Sequence, residues 1–274
     1  TQHTRSLNSN IIFIIGALGG LLFGFDTGVI SGASSLIESS LRLTITETSF
    51  VTSAVLIGSC IGALGVGGLA DRFGRKPLLF IASIFFIIGA LMSAFAPDFG
   101  IMILARIILG LAVGSASALT PAYLAELAPT ERRGSLQTLF QLMITLGILV
   151  AYFINIAFLG HNILGWSDWR WMLGTAVIPA LALFMGSLIL PESPRYLVRA
   201  GKKELSHKVL IRLRPEYTSE QINSELQDIE NADAKAHKGG IKELFTIGKA
   251  PLIAAIGLMF FQQLVGINSV IYYL

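Results

Sequence analysis

Charge is scarce in this chain and cysteine almost absent. Of its 274 residues only 14% are Asp, Glu, Lys or Arg, where a soluble domain carries about a quarter. That shortage argues against an ordinary soluble fold. The single cysteine, Cys60, excludes an internal disulfide, and in an apolar run it reads as a small packing residue. Histidine is no richer: His161 and His207 fall in polar connections, His3 and His237 in tail or linker, and none joins a metal-ligating or nucleophilic set. An enzyme is therefore not expected, nor any metal or other cofactor.

Apolar sequence is plentiful, at 53% of residues. Runs of about 18 or more apolar residues are long enough to cross a bilayer as helices. Seven such runs are expected, at 11–31, 49–70, 78–96, 99–123, 136–159, 171–190 and 251–274. The first is too long for a signal peptide and lacks a small-residue cleavage site. The chain is thus an all-α membrane protein whose first partner is the lipid bilayer.

The basic residues fix an orientation. Arg5, the turn with Arg72, Arg75 and Lys76, the turn with Arg132 and Arg133, and the stretch from Arg195 to Lys249 share one side. The positive-inside rule makes that side cytoplasmic, with the N-terminus inside. The basic pI of about 9.1 then reflects topology, and no nucleic-acid partner is expected. Trp166, Trp169 and Trp171 gather at one expected outer boundary, as an aromatic belt would.

Four parts follow: a tail at 1–10, a six-helix bundle at 11–190, a cytoplasmic helical linker at 191–250, and a seventh span at 251–274. In the linker, Lys203 to Leu213 reads as a short helix. Thr218 with Gln221 forms a capping box before the stripe Ile222, Leu226 and Ile229. Gly16, Gly20, Gly24, Gly28 and Gly32 recur every four residues on segment 1. Gly58 with Gly62, and Gly110 with Gly114, do so on segments 2 and 4. Small residues at that spacing let helix backbones approach closely. Seven spans are an odd number, and the sequence stops at the last, so the chain reads as a piece of a longer bundle.

Two charges lie deep inside these runs, Asp26 and Arg106. Charged groups in hydrocarbon are costly and mark ion or substrate pathways. At about 1.5 Å per residue, Asp26 lies roughly 24 Å from the inner end of segment 1 and Arg106 roughly 12 Å from the outer end of segment 4. In a core about 30 Å thick both reach the outer half at one level. The cation favours the ionised carboxylate and the apolar surroundings the neutral one, a balance suited to binding and releasing a proton. Gln137, Gln141 and Thr145 repeat on segment 5, and Gln262, Gln263 and Asn268 interrupt segment 7. Amides both donate and accept without charge, which suits a neutral polyhydroxylated ligand. At the inner turns, Asp71 is expected to cap a helix beside Arg72 and Arg75, and Glu126, Arg132 and Arg133 form a second charged set.

The run Gly67-Gly68-Leu69-Ala70-Asp71-Arg72-Phe73-Gly74-Arg75-Lys76 resembles the signature loop of the major facilitator superfamily. Phe23 to Gly32, Ala125 to Pro129 with Arg133-Gly134, Pro191 to Arg195, and Gln262 to Asn268 resemble its sugar porter family. The resemblance implies a major facilitator fold, with twelve helices in two halves and sugar carried between them by rocking. This chain would supply the first half, the linker and the seventh helix, and the remaining C-terminal helices would be its partner. Sugar contacts are implied for Gln141, Gln262, Gln263 and Asn268, with Phe23 and Tyr273 nearby. Ile148 stands where an apolar residue looks glucose-like, which leaves hexose and pentose both open. A cytoplasmic gate is implied for Asp71, Arg72, Arg75, Glu126, Arg133, Glu192 and Arg195. Aspartate at position 26 is typical of proton-coupled members. The expected ligands are a glucose- or xylose-like monosaccharide and a proton, carried by symport. A facilitative uniporter and a sugar sensor of the same fold are the alternatives.

Overall fold

A computed structural model describes residues 9–236 and 249–266. The chain falls into two compact units, Thr1–Ser193 and Pro194–Leu274. The described secondary structure is almost wholly helical. The first unit holds α1 (Ser9–Leu41), α2 (Ile45–Phe73), α3 (Arg75–Ala94), α4 (Phe99–Leu127), α5 (Arg133–Phe158), α6 (Asp168–Gly174) and α7 (Val177–Ile189). With α6 and α7 taken as one span, six helices among the described residues are long and apolar enough to cross a membrane.

Local chemistry sets the helix ends. Arg42, in the left-handed region at φ 54°, stops α1. Thr44 and Glu47 then form a reciprocal capping box that opens α2. The Asp98 carboxylate accepts from the Ile101 N–H at 2.9 Å and starts α4. The sixth apolar run departs from a single continuous helix, because it breaks at Thr175–Ala176. Pro179 offers no N–H to the Thr175 carbonyl, and its ring crowds that turn. Helix α1 also runs ten residues past its expected end, because Ala33 and Ile37 extend its buried stripe.

Two glycine seams organise the bundle. Side by side and parallel, α1 lies on α5 and α2 on α4, while α3 packs on α6 and α7. A Cβ on Gly24 would stand 1.9 Å from the Ile144 carbonyl oxygen, and one on Gly147 2.3 Å from that of Leu21. Backbones meet backbones there, so only glycine fits. On α2 and α4 the same holds for Gly58 and Gly110.

The second unit contains α8 (Pro194–Arg199), α9 (Lys203–Leu213), α10 (Ser219–Ala236) and α11 (Lys249–Leu264). The expected cap forms, with Thr218 N–H on Gln221 at 2.9 Å and Gln221 N–H on the Thr218 hydroxyl at 3.3 Å. Three ion pairs tie α10 to what precedes it: Arg199–Asp233 at 3.4 Å, Lys203–Glu230 at 2.7 Å and Arg214–Glu225 at 3.0 Å. Helix α11 begins the seventh apolar run, and positions 267–274 of that run lie outside the described residues.

Candidate functional site

Helix geometry decides which way Asp26 points. Gly24 and Gly28 both face α5, and a residue halfway between them lies about 200° around from each at 3.6 residues per turn. Asp26 is therefore turned from α5 toward α4, which packs on the other flank of α1. There it meets Arg106. The guanidinium donates from Nη1 to Oδ1 at 2.7 Å and from Nη2 to Oδ2 at 3.4 Å. Asp26 is 3% exposed and Arg106 fully buried.

The pair is a poor device for stability alone. Removing two charges from water costs several kcal/mol per ion, and their attraction returns this only with good geometry and filled hydrogen-bond sites. Here one donor, Arg106 Nε, has no partner among the described residues. Removing either partner would leave the other charge buried without its counterion, so the pair ties α1 to α4.

The amide face predicted on α5 lies in the open. Gln137, Gln141 and Thr145 are exposed, and Ile148 and Phe23 are half-buried. Thr145 spends its hydroxyl on the Gln141 carbonyl at 3.2 Å. The Gln141 amide makes no hydrogen bond among the described residues, so its donors and acceptor are open to a ligand beside exposed Gln137 and Thr145. Gln262 is exposed near the end of α11, where Gln263 also falls. Asn268 and Tyr273 lie outside the described residues.

At the end of the bundle holding the basic turns, the charges form a network. Arg75 donates from Nη1 to the Ala70 carbonyl at 2.8 Å, and from Nη2 to Asp71 at 3.2 Å and Glu126 at 3.0 Å. The Ser193 hydroxyl donates to the other Glu126 oxygen. Asp71 is not the cap expected of it: it sits in the last turn of α2 and pairs with Arg75. Glu192 caps α3 instead, accepting from the Arg75 N–H at 3.0 Å and the Lys76 N–H at 3.2 Å. Arg72 lies over the Phe73 ring at 5.3 Å. Arg133 opens α5 with a buried Nε that has no partner among the described residues, and Arg195 is exposed on α8.

Sequence reasoning missed three participants. Ser193 completes the Glu126 site, the Tyr123 hydroxyl donates to the Pro191 carbonyl, and Asn155 Nδ2 donates to the Gly28 carbonyl at 3.0 Å. Asn155 was legible as a lone amide in an apolar run. Nothing marked the other two. The aromatic belt also needs correction. Trp169 is fully buried with the Arg170 guanidinium 4.3 Å over its ring, because the turn of α6 places it on the core side. Only Trp166 and Trp171 reach the surface. Among the described residues no group of His, Cys, Asp or Glu gathers as a metal site.

Residues 12–274 match the family model described as Sugar (and other) transporter. A D-xylose transporter of Levilactobacillus brevis is 49% identical, over 98% of this chain and 58% of its own length. The galactose-proton symporter of Escherichia coli strain K12 is 40% identical over 98% of this chain and 57% of its own. The solved structure of the major facilitator superfamily proton:xylose symporter XylE, bound to 6-bromo-6-deoxy-D-glucose, matches with a TM-score of 0.86 and 33% identity. That match covers 97% of this chain and 61% of the other. The chain spans less than two thirds of the length of these relatives.

Proposed function

Because this chain belongs to the family of sugar (and other) transporters, we propose that it forms the first part of a proton-coupled monosaccharide symporter of the major facilitator fold. The family is one of multi-pass membrane transporters, not enzymes. In this reading the protein lies in the cytoplasmic membrane with its N-terminus and basic turns inside. Asp26 carries the proton and Arg106 answers it. Gln141 offers its outward amide to a glucose- or xylose-like sugar, with Phe23 and Ile148 beside it. Gln262, Gln263, Asn268 and Tyr273 would contribute from the seventh helix, and the remaining C-terminal helices of the longer transporter would close the cavity. The charges around Arg75 and Glu126, with Asp71, Arg72, Arg133, Glu192 and Arg195, would latch the inner gate.

The observation that carries this reading is the buried two-point pair of Asp26 and Arg106. Moving a neutral sugar alone does not require a titratable group at that depth. The test is sugar-dependent proton movement in vesicles holding this chain together with the second-half helices that its relatives carry. Adding D-xylose or D-glucose should acidify the compartment that the sugar enters. Saturable sugar uptake with no accompanying proton would leave transport standing and remove the coupling.

A further inference from the structure

At the end of the bundle opposite the basic turns, a crevice of about 470 Å³ opens between α3 and the α6–α7 break. Leu91, Phe95, Trp166, Arg170, Trp171 and Ile178 are among its lining residues. It exists because Gly174 is small and α7 restarts after Thr175–Ala176, leaving space beside the last turn of α3. Phe95, Ile178 and Trp166 are all exposed, so the crevice opens sideways on the flank that six spanning helices would present to lipid. Its walls are apolar apart from one charged group and a few neutral polar ones. These are the Thr175 hydroxyl, which donates to the Met172 carbonyl at 2.7 Å, and the indole N–H groups, of which that of Trp171 donates to the Ile163 carbonyl at 3.1 Å. Water needs two to four polar partners to settle in such a space, and these walls do not offer them.

The charged group is Arg170. Its Nη1 donates to the Ala94 carbonyl at 2.9 Å, and its guanidinium lies 4.3 Å over Trp169 and 5.5 Å from Trp166. Among the described residues it has no ion-pair partner. The adjacent Asp168 carboxylate is turned to the N–H groups of Gly160 at 3.1 Å and Trp169 at 2.9 Å. Two residues into α6, Arg170 lies about 3 Å along the helix from its start, at the depth where surface tryptophans mark the headgroup boundary. A cation without a carboxylate, at that level, above an apolar slot, complements an anionic head on an apolar tail.

We propose that this crevice is a binding site for an anionic phospholipid, with the phosphate on Arg170 and one acyl chain between α3 and α7. It is independent of the sugar and proton sites. The test uses the tryptophans at the crevice mouth as reporters. The 274-residue chain is reconstituted in phosphatidylcholine bilayers containing either acyl-brominated phosphatidylglycerol or acyl-brominated phosphatidylcholine, and quenching is followed against mole fraction. Phosphatidylglycerol should quench Trp166 and Trp171 with about fivefold preference, the size expected of one basic residue at an anionic lipid surface. Arg170→Gln should abolish the preference and Arg170→Lys keep most of it. Inorganic phosphate should relieve none of the quenching, since a site for free phosphate has no use for the chain. Arg170→Gln also loses the bond to Ala94, so Gly174→Leu supplies a second reading. A Cβ there meets only Ala94 Cβ at 3.5 Å, and the added side chain fills the slot, so it should weaken quenching while Arg170 stays. Equal quenching by the two lipids, or a preference that survives both Arg170→Gln and Gly174→Leu, would overturn the site.

Discussion

Glu192 and Arg75, distant in sequence, are joined by a backbone cap: the Glu192 carboxylate accepts the Arg75 N–H at 3.0 Å and so closes the first turn of α3 from the end of α7. The same arginine reaches Glu126 at the foot of α4 with its side chain. Three helices are thus tied at one corner.

Loss of that cap should be felt by the fold. Glu192→Ala should destabilise the bundle by about 1 kcal/mol, in the range of a removed N-cap. Glu192→Gln keeps an acceptor but loses the charge at a helix N-terminus, and should cost less. Denaturant unfolding of both variants orders them, and an Ala variant as stable as wild type would deny the cap any weight.

The Arg75–Glu126 pair is mostly buried, with 13% and 14% of the side chains exposed. A double-mutant cycle with Arg75→Gln and Glu126→Gln should show a coupling of about 1.5–3 kcal/mol, the range for hydrogen bonds to charged groups. Additive single effects would make the two charges independent anchors.

Gly24 and Gly67 separate packing from propensity. Gly24→Ala drives a methyl into the Ile144 backbone, whereas a Cβ at Gly67 meets nothing within 4 Å. The first should cost about 1–3 kcal/mol as overpacking. The second should be neutral or slightly stabilising, because alanine is the better helix former. Thermal unfolding in detergent would read the contrast, and equal melting temperatures would contradict the seam.

Gln141 should behave in the opposite sense to these structural residues. Its side chain is exposed and unbonded among the described residues, so Gln141→Ala should change stability by less than about 0.5 kcal/mol. In the transporter with its second half, the same change should weaken sugar binding by about 1–3 kcal/mol through an unmet hydrogen bond. Calorimetry that finds affinity intact would remove Gln141 from the site.

Much of the bundle was legible because each apolar run exceeds a membrane thickness and carries its own stop signals. Asp98, Thr44 with Glu47, and Thr218 with Gln221 are local devices, and local devices are written in sequence order. The glycine repeats likewise predicted which helix faces would meet closely, though not that α1 would choose α5. Asp26 and Arg106 could be paired from depth alone, since an apolar span leaves few places for a charge. Other features depend on partners far along the chain. The capping of α3 by Glu192, the Ser193 bond to Glu126 and the burial of Trp169 follow from the way helices assemble, which no local pattern states. The break in the sixth span was marked by Pro179, but inside a long apolar run its effect was hidden by hydropathy.

If Asp26 carries the coupled proton, removing its charge should uncouple sugar movement from the proton gradient. In vesicles with an imposed proton gradient, the transporter with Asp26→Asn should still bind sugar and exchange it across the membrane. Asparagine keeps the shape of the side chain and can still accept the shorter of the two Arg106 bonds through its single amide oxygen, but it cannot titrate. Accumulation of sugar against its gradient should vanish. Concentrative uptake at the wild-type level would contradict the account.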